Sequence, residues 1–301
     1  MRIIRYSNQE NKPALAAVTD EDKIYDLPFE DFLEIVRQAE DKESTALQVV
    51  EEIISQSLPL EIPYDELSLL VPIEAQEVWA SGVTFEKSRD ERNYEATGGK
   101  LDAATFYDKV YDAERPEIFF KSTNKRTVGP EEDVYLRSDS NWQIPEPEVG
   151  LVLGNKGQIL GFTIGNDMSC RDIEGENPLY LPQAKVWKNS CALGPAIRLS
   201  ETVEDPYELE ITCRIYRDQE KHFEGTASMK QLKRKFDELA AYLLKDNTVF
   251  DGTVLLTGTC IVPPNEFSLR DGDQIEIEVP GIGVLVNSVK SQVSQLVFDR
   301  E

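Results

Sequence analysis

Histidine is almost missing from this chain of 301 residues; there is one, His222. That count excludes a metal site built from several imidazoles, and it forces any Ser-His-Asp or Cys-His arrangement to use His222. His222 lies in "RIYRDQEKHFEGTAS", where "RDQEK" reads as the turn of a hairpin and the histidine as exposed or on an edge. Cysteine is scarce and scattered. Cys170, Cys191, Cys213 and Cys260 form no CxxC pair, which argues against a disulfide framework and a zinc centre. Also missing are an apolar run of about 18 residues, an internal repeat, a low-complexity segment and a Gly-rich phosphate loop. The opening "MRIIRYSNQENK" has no apolar region of the signal-peptide kind, so a soluble cytoplasmic protein is expected. Basic residues are outnumbered, 32 Lys and Arg against 56 Asp and Glu, for a net charge of −24. That balance argues against nucleic acid or an anionic membrane as partner and fits a solubilising or salt-adapted surface. Chemistry here must rest on carboxylates, lysines, hydroxyls and a hard metal.

The length suits one large domain, or a large and a small one. Residues 1 to about 72 read as a small α/β unit. "MRIIRYS", "KPALAAVTD" and "DKIYDLP" have the look of short strands, and "FEDFLEIVRQAE" and "STALQVVEEIISQSL" of helices. The larger unit, 73–301, opens with "VPIEAQEVWASGVTF". The spacing predicts helices in "FEKSRDERNYEAT" and "AATFYDKVYDAE", then a series dominated by strands. These are "PEIFFKS", "EVGLVLG", "ILGFTIGNDMS", "AIRLSETV", "LEITCRIYRD", "TVLLTGTCIV" and "QIEIEVPGIGVLVNSV". One helix, "MKQLKRKFDELAAYLLKD", interrupts them. Many strands, few helices and no βαβ alternation predict an α+β fold with a curled mixed sheet.

"IPEPEVGLVLG" places Glu146 and Glu148 one residue apart before an apolar run. In extended chain they share a side with Gly150 and Val152, a face that reads as inward. Buried carboxylates without compensation cost several kcal/mol or change protonation. Asp167 ends the next apolar strand, in "LGFTIGNDMSCRD". It either caps a turn or joins the two glutamates in a three-carboxylate site. Such a site suits Mg²⁺ or Mn²⁺, with Ca²⁺ able to use the same oxygens.

"PEPEVGLVLG", "ILGFTIGNDMSCRDIE" and "LLTGTCIVPP" together resemble the fumarylacetoacetate hydrolase superfamily, over about residues 75 to 301. "VWASGVTFEKSRDERN", "YDAERPEIFFKSTNKRTVGP", "LRSDSNWQIPEPE" and "ENPLYLPQAKVW" bring the resemblance closer to one branch. Its members dehydrate 2-keto-3-deoxy-D-arabonate to 2,5-dioxopentanoate. The resemblance implies a mixed β-roll with a small N-terminal α/β domain, and Mg²⁺ held by Glu146, Glu148 and Asp167. It places Lys185 beside the metal and Glu117 and Lys121 near the substrate, Lys185 and Glu117 being the candidate base and acid. Thr257, Gly258 and Thr259 would hold the substrate carboxylate, with Ser81, Gly82 and Thr84 bordering the pocket. A small anionic 2-keto acid as substrate and a homodimer or homotetramer as assembly are also implied.

Hydrolases of the superfamily commonly activate water with a His-Glu pair, and no histidine precedes residue 222. Elimination needs no such water, so a dehydratase leads. The alternatives are a hydrolase of acylpyruvate or fumarylpyruvate type, an isomerase or decarboxylase of the superfamily, and a non-catalytic metal-bound scaffold. Cys170 in "SCRD", where alanine is commoner, reads as packing.

Overall fold

The computed structural model describes residues 1–86 and 110–292. Sheets dominate it. The longest path of paired strands runs Ile24–Leu27, Pro13–Val18, Arg2–Ser7, Cys191–Leu199, Ile159–Asp167, Pro147–Leu153, Thr253–Leu256, Val78–Gly82 and Glu117–Ser122. Ser68–Leu70 and Thr127–Val128 attach beside that path, making eleven strands. Pairing is mostly antiparallel, with Thr253–Leu256 parallel to Val78–Gly82. The N-terminal strands do not form a sheet of their own. Arg2 and Ile3 pair with Arg198 and Ile197, so a continuous ladder bridges the division expected at 72/73.

Alternation sorts the side chains of Pro147–Leu153 onto two faces. Val149, Leu151 and Leu153 enter a core shared with Ile211, Ile215, Ile275, Ile277 and Leu285 of a second, five-stranded sheet. Val152 turns the other way, toward Phe32, Ile35 and Val49 of the N-terminal helices. The large sheet is thus covered on one face by a sheet and on the other by helices, which is how a strand becomes apolar on both sides. Those helices, Phe32–Asp41 and Ala46–Ile54, start where side chains satisfy exposed amides. Asp31 accepts from Glu34 N, and Thr45 and Gln48 form a reciprocal capping box.

The hairpin around "RDQEK" is present, its two-residue turn made by Asp218 and Gln219 at φ of 52° and 67°. His222 is exposed on its outer strand, Glu220–Ser228. Two boundaries differ from the sequence reading. The expected helix "MKQLKRKFDELAAYLLKD" shortens to Phe236–Leu244, because Ser228 and Gln231 cap a separate 3₁₀ turn first. "TVLLTGTCIV" is a strand only over Thr253–Leu256, since Gly258 at φ 93° turns the chain away. The helices expected in "FEKSRDERNYEAT" and "AATFYDKVYDAE" fall largely outside the described residues. Among the described residues no helix is long and apolar enough to cross a membrane.

Candidate active site

The register of two strands assembles the carboxylates. Pro147 pairs with Asn166 and Glu148 with Gly165, and Asp167 N donates to Glu146 O at 2.9 Å. Glu146 therefore lies opposite Asp167, and Glu148 follows on the same face. All three are buried, and each offers an oxygen within 4.8 Å of the others'. An octahedral ion with bonds of about 2.1 Å spans such a triangle. The donors are hard oxygens and include no sulfur, which fits Mg²⁺ or Mn²⁺.

Burial first, then Asp167 and Glu146, pushes Glu148 well above the ordinary carboxylate pKa. The Gly258 amide, donating to Glu148 Oε2 at 2.6 Å, pulls the other way. Around these acids stand three buried cations. Lys185 Nζ donates to Glu146 Oε2 and, at 3.1 Å, to Asp167 Oδ2. Lys121 Nζ is 2.6 Å from Asp167 Oδ1, and an Arg171 nitrogen is 3.8 Å from Glu146 Oε1. Three formal negatives meet three formal positives. A divalent ion would leave the cluster positive by two, a charge that favours a bound dianion such as a carboxylate with a developing enolate.

A small, narrow cleft opens over the cluster. Among the described residues it is lined by Ser81, Gly82, Val83, Phe119, Glu146, Glu148, Asp167, Arg171, Lys185 and Thr259. Seven residues expected at the site are in that lining: Ser81, Gly82, Glu146, Glu148, Asp167, Lys185 and Thr259. Glu117 pairs with Gly82 across the strands. A Cβ added at Gly82 would come within 1.9 Å of Glu117 Oε2, so Glu117 lies directly over that glycine at the cleft's edge.

The other expected residues sit one layer back. Lys121 directs its ammonium to Met168 O at 2.9 Å, to Lys185 O and to Asp167. The two carbonyls accept hydrogen bonds from it, and the Asp167 contact is an ion pair. Thr84 Oγ1 donates to Thr257 O at 2.8 Å, and Thr257 Oγ1 to Val149 O at 2.9 Å. Thr259 Oγ1 accepts from Ile261 N at 3.1 Å, which leaves its hydroxyl hydrogen for a ligand.

Arg171 and Val83 belong to the cleft and were not singled out from the sequence. Arg171 adjoins Cys170 in "NDMSCRD", and its nearness in sequence to Asp167 was the available signal; the structure buries it. Cys170 itself is buried in the core, as a packing residue should be. Val83 carried no signal; its position follows from a φ of 52°.

Residues 88–290 match the family model for the fumarylacetoacetate (FAA) hydrolase C-terminal domain. The chain is 43% identical over 276 residues to 2-dehydro-3-deoxy-D-arabinonate dehydratase of Saccharolobus solfataricus, covering 92% of each chain. It is 48% identical over 219 residues to a probable 2-keto-3-deoxyxylonate dehydratase of Haloferax volcanii, covering 73% of this chain and 74% of that one. A solved structure of 2-keto-3-deoxy-D-arabinonate dehydratase complexed with magnesium and 2,5-dioxopentanoate superposes with a TM-score of 0.83. Its identity is 38%, covering 97% of this chain and 99% of the other. The sheet-dominated α+β fold and the conjunction of carboxylates and lysine thus have a common source: the chain belongs to the fumarylacetoacetate hydrolase family.

Proposed function

We propose that the protein is a Mg²⁺-dependent dehydratase converting 2-dehydro-3-deoxy-D-arabinonate, or a similar 2-keto-3-deoxy sugar acid, to 2,5-dioxopentanoate. The observation that carries the reading is Lys185 Nζ, fully buried between Glu146 and Asp167 at the foot of the cleft. The sole histidine is exposed on a different sheet and does not line the cleft. A lysine is thus placed to move a proton, and no imidazole is placed to activate water. The similarity to the Saccharolobus and Haloferax dehydratases supports the same choice.

Glu146, Glu148 and Asp167 would hold the ion, which as a Lewis acid makes the hydrogens beside a chelating 2-keto acid more acidic. In its neutral amine form, Lys185 Nζ takes one of them from carbon 3. Glu117, at the cleft's edge over Gly82, gives a proton to the hydroxyl leaving carbon 4 as water. Loss of a proton from carbon 5 and of the proton on the carbon-5 hydroxyl, with return of protons to carbons 3 and 4, yields the terminal aldehyde. The Thr259 hydroxyl, with Ser81 beside it, orients the substrate carboxylate, while Thr84, Thr257 and Lys121 brace the groups in contact with it.

A homodimer or homotetramer is the proposed assembly. Leu179, 83% exposed, and Tyr180, 37% exposed, present apolar surface just before the helix that carries Lys185. Light scattering that finds only monomer at micromolar concentration removes this part. The four free, buried thiols suit a reducing compartment, and the cytoplasm is proposed on that basis.

The test is incubation of the Mg²⁺-loaded protein with 2-dehydro-3-deoxy-D-arabinonate and, separately, with acylpyruvates. Dioxopentanoate from the first and nothing from the second is expected. Pyruvate released from acylpyruvates alone would make the protein a hydrolase, and inertness toward both would leave a scaffold. Two variants assign the roles. Lys185→Ala should abolish exchange of carbon-3 hydrogens with deuterated water, and Glu117→Gln should keep exchange while blocking water loss.

A further inference from the structure

Consecutive residues of one loop, Lys233 and Arg234, reach two segments that back the cleft, one at Thr84 and one just before Glu117. Lys233 N donates to Thr84 O at 3.0 Å. Thr84 in turn holds Thr257 O, next to the Gly258 amide that binds Glu148. Arg234, 7% exposed, turns to the segment just before Glu117. Its guanidinium donates to Glu114 O at 3.1 Å and to Ala113 O, and to Glu238 Oε1 at 2.8 Å.

Ala113 and Glu114 precede strand Glu117–Ser122, separated from Glu117 by Arg115 and Pro116. The Arg115 guanidinium lies 5.6 Å from the centre of the Tyr242 ring. Pro116 fixes its own φ, so little freedom remains between the anchored carbonyls and Glu117. The loop's own footing is firm. Phe236 is buried, stacks on Tyr207 with ring centres 4.7 Å apart, and its amide donates to the Tyr207 hydroxyl oxygen at 2.9 Å. Glu238 both accepts from Lys235 N, capping helix Phe236–Leu244, and pairs with Arg234.

We propose that Arg234 is a positioning residue for Glu117. It sets where the Glu117 carboxyl stands over Gly82, while Lys233 holds the Thr84–Gly258 segment from the same loop. A planar guanidinium with donors on separate nitrogens can gather two carbonyls and a carboxylate at once, which an ammonium on a flexible stem cannot do in fixed geometry. The inference rests on the reading of Glu117 as the proton donor to the leaving hydroxyl.

Arg234→Met, Arg234→Lys, Glu238→Gln and Glu117→Gln are prepared as Mg²⁺-loaded proteins and assayed with 2-dehydro-3-deoxy-D-arabinonate. Turnover, KM and carbon-3 exchange with deuterated water are followed, and thermal melts report folding. Arg234→Met should lower kcat on the order of 10²-fold, the cost of roughly an ångström's misplacement. KM and carbon-3 exchange should stay within about threefold of wild type, since Lys185 and the carboxylates are untouched. Arg234→Lys should recover part of kcat. The double variant Arg234→Met, Glu117→Gln should be no slower than Glu117→Gln alone. Exchange falling together with elimination, or a double variant slowed by the full product of the two effects, overturns the inference. If Arg234→Met does not fold, Glu238→Gln decides: it keeps an acceptor for Lys235 N but removes the charge that holds the guanidinium. A drop in its kcat at unchanged exchange supports the inference, and an unchanged kcat overturns it. Elimination by Glu117→Gln at the normal rate removes the acid and this inference together, whereas failure of the Arg234 arm alone leaves the acid standing.

Discussion

The Gly258 amide and the Glu148 carboxylate meet at 2.6 Å, and the backbone that makes the contact is open only to glycine. Gly258 has φ 93°, and a Cβ there would stand 2.0 Å from Thr84 Oγ1 and 2.9 Å from Ser81 O. The second of these is backbone and cannot swing aside. The turn therefore aims one amide at one carboxylate oxygen, and under the proposed function the other oxygen would be the one to meet the ion.

Gly258→Ala is expected to displace that amide. The left-handed strain alone costs about 1–2 kcal/mol for a residue with a Cβ, and the clash adds to it. The melting temperature should fall, and Mg²⁺ affinity by calorimetry should drop at least about tenfold, as for loss of an outer contact to a ligand. Unchanged Mg²⁺ affinity in a folded Gly258→Ala protein would show that the amide does not orient Glu148.

The buried position of Glu148 has a consequence for pH. Desolvation, then Asp167 and Glu146, raises its native pKa well above the ordinary 4.5. Between those two values the metal-free native state keeps a proton that the unfolded chain has released. Stability from this group is thus full below about 4.5 and declines as pH rises toward the native value. A divalent ion competes for the same oxygens, so its binding expels the proton and tightens with pH. Melts of metal-free protein, compared with Glu148→Gln, should show a decline with pH in wild type alone. Calorimetry of Mg²⁺ binding in two buffers of different ionisation enthalpy should detect proton release within that window. No release there would mean that Glu148 is already ionised.

The clustering of the three carboxylates was legible because strand periodicity is local: Glu146 and Glu148 share a face by spacing, and Asp167 sits at the end of the adjacent strand. The hairpin turn at Asp218 and Gln219 was legible for the same reason. Lys121 was not. Its direction depends on strand Glu117–Ser122 lying beside Val78–Gly82 and near the end of helix Leu181–Lys185, contacts made between distant parts of the chain. The joining of Arg2–Ser7 to Cys191–Leu199 is equally non-local. The early end of strand Thr253–Leu256 and the late start of helix Phe236–Leu244 follow from Gly258 and from the Ser228–Gln231 cap. Those are signals of punctuation that apolar spacing masks.

Lys121 is expected to show itself first in stability. Its ammonium and the Asp167 carboxylate are both sealed from solvent, and Met168 O and Lys185 O share its donors. Lys121→Met would leave a buried charge and two carbonyls short of a partner, a loss of about 3–5 kcal/mol. Mg²⁺ supplies positive charge to the same carboxylate, so the ion should raise the variant's melting temperature more than it raises that of wild type. A variant as stable as wild type without Mg²⁺, but with a much higher KM, would instead place Lys121 in contact with substrate.

Val83 offers a test in which two substitutions reverse their usual order. It lines the cleft at φ 52°, a left-handed conformation that is an outlier for a β-branched residue, and it is 5% exposed. Val83→Ala loses about two buried methyl groups while keeping a Cβ in the left-handed backbone, so most of the strain stays. Val83→Gly loses slightly more apolar surface but relieves about 1–2 kcal/mol of strain. Against that relief stands the extra entropy of a glycine in the unfolded chain, about 0.4–1 kcal/mol. Relief wins, and Val83→Gly should be more stable than Val83→Ala by up to about 1 kcal/mol, the reverse of the order at a helix or strand interior. Chemical denaturation of the two variants side by side measures the difference directly. Should Val83→Ala prove the more stable, the backbone at residue 83 carries no strain.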